Sequence, residues 1–66
     1  MPMPEAELWN RLNRALGPDY APMWAHTVAV TELGSRTVVE ALADGMACVD
    51  VWRAAWAFLE LPAHEW

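Results

Sequence analysis

Apolar side chains recur at three- and four-residue intervals along most of the chain, the spacing that gathers them on one face of an α-helix. Gly and Pro divide this pattern into four segments, with no repeat, low-complexity run or linker between them. The first helix is predicted over about residues 4–16. Pro4 opens it, Glu5 and Glu7 lie in the first turn where the helix dipole favours anions, and Gly17-Pro18 closes it. Leu8, Leu12, Ala15 and Leu16 form its apolar stripe, which leaves Asn10, Arg11, Asn13 and Arg14 towards water. The second helix is predicted over 20–33, with Asp19 as N-cap, Pro22 tolerated in the first turn, and Gly34 just past the C-terminus. Tyr20, Met23, Trp24, Thr27, Val28 and Thr31 share one of its faces. Its β-branched residues would also suit a strand, but the length between Pro and Gly signals favours helix.

Thr37-Val38-Val39-Glu40 is a capping box. The Thr hydroxyl accepts from the third amide and the Glu side chain reaches back to the Thr amide. It starts a short third helix over 37–44 that stops at Gly45. The fourth helix, 47–60, carries Val49, Trp52, Ala55, Trp56 and Leu59 at helical spacing, and Pro62 enforces its end before a tail over 63–66. Ala41, Gly45 and Val51 have the spacing of a helix-turn-helix: a small residue where two helices cross, a Gly turn, and an apolar residue packing back. The predicted fold is therefore all-α, a compact bundle of about four short helices with the last two helix-turn-helix-like, in one domain over 1–66.

The run Gly34-Ser35-Arg36-Thr37-Val38-Val39-Glu40-Ala41-Leu42-Ala43-Asp44-Gly45, then Val51-Trp52-Arg53-Ala54, then Leu61-Pro62, resembles a family. That family is the small actinobacterial domain of unknown function often encoded near the recombination proteins RecA and RecX. Its relatives read G-x-R-T-x-x-x-A-L-x-x-G, then V-W-R-A, then V-P. The likeness covers about half the chain well and extends more weakly back to Leu16-Gly17-Pro18-Asp19-Tyr20-Ala21. Relatives carry Pro near position 48 and Cys near position 56, where this chain has Cys48 and Trp56, and their first helix differs, as expected for a divergent or phage-borne member. The resemblance implies a helical architecture and a bacterial cytoplasmic setting. It implies no reaction.

Composition narrows the function classes. A chain of 66 residues has room for one core. At 56% hydrophobic with five Trp, it is far from a disordered composition. A domain this small buries only about 60% of the surface of its unfolded chain, so some large apolar surface is expected outside, and such patches mark binding sites. A net charge of −5 disfavours nucleic acid and anionic lipid. The single cysteine, Cys48, cannot close an internal disulfide, which fits a reducing compartment. The N-terminal residues form no signal-peptide pattern and the longest wholly apolar stretch runs only from Ala54 to Leu59, so neither export nor a membrane span is expected. The absence of Lys, Ile and Gln beside abundant Ala, Val, Trp and Arg is the bias of GC-rich coding, bacterial or phage.

No catalytic constellation emerges. Cys48, His26 and His64 lie on different segments without metal-ligand spacing or an orienting third group, so neither a metal nor a nucleophile is predicted. Glu40 and Asp44, four apart, repel mildly on a solvated helix face, and capping already accounts for Glu40. Arg36 and Arg53 are scarce cations. A structural salt bridge, for example Arg53 to Glu40 or Asp44, is the leading expectation, and recognition of an acidic partner is the other. On the fourth helix only Arg53 has the chemistry for base readout among Ala47, Cys48, Val49, Trp52 and Arg53. Trp52 and Trp56 share a face that places at least one in the core, whereas Trp9 and Trp66 fall off the main stripes.

The sequence thus reads as a non-catalytic protein-binding module of the bacterial cytoplasm, without cofactor, small-molecule substrate or membrane contact, binding a protein or itself as a homodimer. Trp9, Trp52, Arg53, Trp56 and Trp66 are the expected partner-binding residues. Thr37, Glu40, Gly45 and Arg36 are the expected structural ones. Two alternatives stand beside this reading: a helix-turn-helix accessory protein on DNA, and a phage protein that inhibits a host protein.

Overall fold

A computed structural model describes residues 3–65 of the chain. Four α-helices form in order: α1 (Glu5–Leu16), α2 (Ala21–Thr27), α3 (Val38–Ala43) and α4 (Cys48–Phe58). Single 3₁₀ turns cover Thr31–Leu33 and Ala63–Glu65. The all-α class and the small bundle agree with the sequence pattern.

Pro4 is the N-cap of α1 in extended conformation, and Leu8 and Leu12 are its fully buried stripe. Gly17 ends α1 at φ 92°, ψ 142°, a backbone region open essentially to Gly alone. Its carbonyl accepts from both Tyr20 and Ala21, so a tight turn leads straight into α2. This turn corrects the predicted role of Asp19. The N-cap position of α2 is Tyr20, already helical, and no side chain caps it.

A second correction is the length of α2, which ends at Thr27 instead of running to 33. Val28 and Val30 are extended, and Val30 pairs with Arg36 in an isolated antiparallel bridge. The Val30 amide donates to the Arg36 carbonyl at 2.9 Å, and the Ser35 amide donates to the Val30 carbonyl at 3.1 Å. β-Branched residues lose least in extended backbone, and the excursion brings Val30 to full burial. Gly34 does act as a stop, in left-handed conformation, but for the 3₁₀ turn.

The capping box forms as predicted. The Glu40 amide donates to Thr37 Oγ1 at 3.1 Å, and the Thr37 amide donates to Glu40 Oε1 at 2.9 Å. At the other end of α3, Gly45 at φ 89° lets its own amide reach the Leu42 carbonyl and the Met46 amide reach that of Ala41. This is a Schellman closure. The C-terminus of α4 repeats it with a non-glycine residue: Glu60 sits at φ 54°, its amide on the Ala57 carbonyl and the Leu61 amide on that of Trp56.

Helix α4 is central, packing against α1, α3 and the 3₁₀ turn at Thr31–Leu33, while α2 packs on α1 and α3. Its inward face is wider than the predicted stripe. Val51, Trp52, Ala54 and Ala55 are buried, and Val49, Trp56 and Leu59 lie half-buried at its edges, as neighbours on several sides require. Ala41 and Val51 are both fully buried on either side of the Gly45 turn. Five alanines in the core, Ala21, Ala25, Ala41, Ala54 and Ala55, leave room between helices for the large rings of Trp24 and Trp52. Two residues expected towards water are drawn inward. Arg11 and Asn13 are half-buried, and Asn13 Oδ1 is enclosed without a hydrogen-bond partner.

Candidate functional site

Of the tryptophans expected at a partner surface, Trp52 is withdrawn into the core, while Trp9 and Trp56 are half-buried. Trp52 is 1% exposed and belongs to the core, beneath the Arg11 guanidinium, which lies 5.6 Å from its ring centroid. That geometry is a cation–π contact, and Arg11 also pairs with Glu7 at 2.8 Å, one helical turn away. Trp24 is buried, with its ring 6.3 Å from that of Phe58. Trp56 is half-buried, and its indole Nε1 donates to the Pro62 carbonyl at 3.1 Å, fastening the segment after α4. Trp9 is also half-buried, packs against the core, and donates to Glu5 at 3.3 Å. Trp66 lies outside the described residues. Arg53 is exposed on α4.

Among the described residues, the large apolar side chains that face outward are Tyr20, 47% exposed, and Met23, 56% exposed. Three residues apart at the start of α2, they occupy one face, continued by the exposed Thr27. The Thr27 hydroxyl turns back to donate to the Met23 carbonyl at 2.6 Å. Sequence reasoning grouped Tyr20, Met23, Trp24 and Val28 on a single face, but the fold splits them. Ala21, Trp24 and Ala25 turn inward and Tyr20 and Met23 outward. The usable signal was the pair of alanines four apart around Trp24, since small residues mark the side where another helix approaches.

A second feature is an open polar depression of about 340 Å³ lined by Ser35, Arg36, Glu40, Ala43 and Asp44. Arg36 Nε meets Asp44 Oδ2 at 3.3 Å with both side chains about half exposed. The ion pair expected from Arg53 to Glu40 or Asp44 is therefore made to Asp44 by Arg36. The cause is local: α3 is only six residues, about 9 Å at the helical rise, so an arginine just before its N-cap can reach its C-cap. Glu40 is engaged in the capping box.

Among the described residues no group of three or more His, Cys, Asp or Glu could hold a metal ion. Cys48 is a half-buried free thiol in the first turn of α4, and His26 and His64 are exposed on other segments. No helix is long and apolar enough to cross a membrane, among the residues described.

The model of a family described as Protein of unknown function (DUF3046) matches residues 3–64. No curated protein and no solved structure matches the chain.

Proposed function

We propose that this chain, which belongs to the DUF3046 family, is a non-catalytic protein-binding module that meets its partner through the outward face of α2, centred on Tyr20 and Met23. The observation that carries this reading is the exposure of those two side chains, 47% and 56%, in a domain that draws Trp24 and Trp52 fully inward. Tyr and Met are enriched in interface cores, where they supply contact area. An interface of ordinary size takes about 800 Å² from each partner, close to a fifth of the 4091 Å² surface of this domain. It would extend beyond these two residues to their exposed neighbours Asp19, Pro22, His26 and Thr27.

The outward side of α4 supports a protein over a nucleic acid. Its exposed positions are Asp50, Arg53 and Ala57, one acid and one base followed by a small apolar residue, a poor surface for a phosphate backbone. The motif resemblance and the lone cysteine favour the bacterial cytoplasm. The partner is either a second copy or another protein, including a host target if the chain is phage-borne.

The test compares wild type with Tyr20→Ser/Met23→Ser. Because both side chains are exposed, the double variant should keep its circular dichroism spectrum and its denaturation midpoint. Sedimentation velocity at micromolar concentration reads self-association, and quantitative affinity capture from a bacterial lysate reads other partners. Loss of a wild-type dimer, or of a specifically captured protein, in a folded double variant is the expected result. A monomeric wild type whose captured proteins are the same for both forms overturns the reading.

A further inference from the structure

We propose that the Asp44-Gly45 peptide is a site of spontaneous isoaspartate formation held in check by the native end of α3, so that conversion follows opening of the turn between α3 and α4. The proposal is independent of the α2 face.

Asp-Gly is the pair at which this chemistry is least hindered, because glycine has no Cβ to shield its nitrogen. The sequence holds one such pair. Asp19 precedes Tyr20, Asp50 precedes Val51, and Asn10 and Asn13 each precede an arginine. In the reaction the Gly45 nitrogen bonds to the Asp44 carboxyl carbon, and the carboxyl hydroxyl leaves with the amide proton as one water. A second water then opens the five-membered ring at either carbonyl by breaking its bond to nitrogen. Opening at the side-chain carbonyl restores aspartate. Opening at the main-chain carbonyl leaves the chain running through Cβ and Cγ of Asp44, with a free α-carboxylate. The product has the mass and the charge of the starting chain.

Three features of the fold oppose ring closure. Asp44 is the C-cap of α3 at φ −80°, ψ 0°. At that ψ the Gly45 nitrogen eclipses the Asp44 nitrogen, which leaves Cβ, a tetrahedral substituent, about 120° away round the Cα–C bond. The Gly45 amide is also engaged, donating to the Leu42 carbonyl at 3.0 Å, and the Met46 amide behind it donates to that of Ala41 at 3.1 Å. Turning the Asp44 ψ breaks both bonds. Finally, Arg36 Nε holds the Asp44 carboxylate at 3.3 Å. Steric cover is not among these features. A side chain at Gly45 would meet no atom within 4 Å beyond its chain neighbours, and the Asp44 side chain is about half exposed. Water reaches the pair, and its geometry withholds the reaction.

Conversion would also be hard to reverse by refolding. Schellman closure depends on the spacing of the amides that follow the helix, and isoaspartate lengthens the main chain by one carbon at that point. The converted chain cannot remake both bonds, and α3 and α4, which pack on each other, lose their register.

The test incubates the full chain in warm neutral buffer, folded and in unfolding urea. The tryptic fragment 37–53 is then read by electron-transfer fragmentation, which tells isoaspartate from aspartate, with Asp50 in the same fragment as internal control. Isoaspartate should accumulate at Asp44 and not at Asp50 in the unfolded chain. In the folded chain it should form at least about tenfold more slowly, since only the open fraction reacts. Thr37→Ala removes the cap at the other end of α3 from Asp44. It should speed the folded reaction by about two- to thirtyfold, the effect of a lost N-cap on an opening equilibrium, and if the variant fails to fold it should react at the unfolded rate. Converted chains, separated by chromatography, should lose their helical spectrum at lower urea than unconverted ones. Equal rates in folded and unfolded wild type overturn the proposal, as does equal conversion at Asp44 and Asp50 in the unfolded chain. A folded Thr37→Ala that reacts no faster, or a converted chain that melts with the wild type, overturns it as well.

Discussion

Glu60 shows how a single backbone angle can be set by its neighbours against the preference of its side chain. At φ 54° its Cβ crowds the backbone, a conformation that costs an L-residue about 1–2 kcal/mol, yet it is held there because Glu60 and Leu61 amides close the end of α4. Gly45 does the same work for α3 without that penalty. Glu60→Gly should therefore stabilise the domain. Relief of the strain is offset by the greater freedom of glycine in the unfolded chain, about 0.4–1 kcal/mol, leaving a net gain of about 0.5–1 kcal/mol, readable as a higher urea midpoint with an unchanged slope. A lower midpoint would mean that the Glu60 side chain makes a compensating contact. At this scale the sequence was legible where the interaction is contiguous. Thr37 and Glu40 announce their capping box within four residues, whereas a left-handed glutamate leaves no mark in composition or spacing.

At the scale of elements, α1, α3 and α4 were readable because each has a start or stop signal in its own residues: Pro4 and Gly17, Thr37 and Gly45, Pro62. Helix α2 was not. Nothing between Thr27 and Gly34 interrupts the helical spacing, and the extended course of Val28 to Val30 follows from a pairing with Arg36 that only the folded chain provides. Backbone ¹³Cα shifts should accordingly be helical over 21–27 and extended over 28–30. The Val30 amide, donating to the Arg36 carbonyl, should exchange slowly with solvent. Helical shifts continuing to residue 33 would restore the longer helix and remove the bridge. The candidate surface was hidden for a different reason: Tyr20, Met23 and Trp24 lie close together around the helix axis at either length, and only the packing of α2 on α1 and α3 fixes that Ala21, Trp24 and Ala25 turn inward while Tyr20 and Met23 turn out.

For the whole molecule, the expectation that five tryptophans would overfill so small a core was met by an arrangement the pattern does not encode. Alanines at Ala21, Ala25, Ala41, Ala54 and Ala55 open space around Trp24 and Trp52, and Trp9 and Trp56 lie half-buried at the margin with their indole nitrogens satisfied. Which aromatic side chain stays outside depends on how four helices are turned about their axes within a body of 27 × 27 × 20 Å. That rotation is fixed by contacts between segments distant in sequence, α4 against α1 and against the 3₁₀ turn above all.

The bridge between Val30 and Arg36 also governs how the chain meets a protease. There is no lysine, so trypsin has four sites, Arg11, Arg14, Arg36 and Arg53. Three lie inside helices, and the fourth, although on an exposed loop, has its carbonyl engaged by the Val30 amide. A protease needs an extended, unpaired stretch on both sides of the bond it cuts, so each site becomes available only after local or global opening. Digestion should be slow in the native state and should follow the population of the open form, with Glu60→Gly slowing cleavage at Arg53 by about two- to fivefold, the factor that a gain of about 0.5–1 kcal/mol makes in that population. Rapid cutting after Arg36 while the helical spectrum persists would show that the bridge opens by itself, so that the loop between α2 and α3 is released while the helices stay packed.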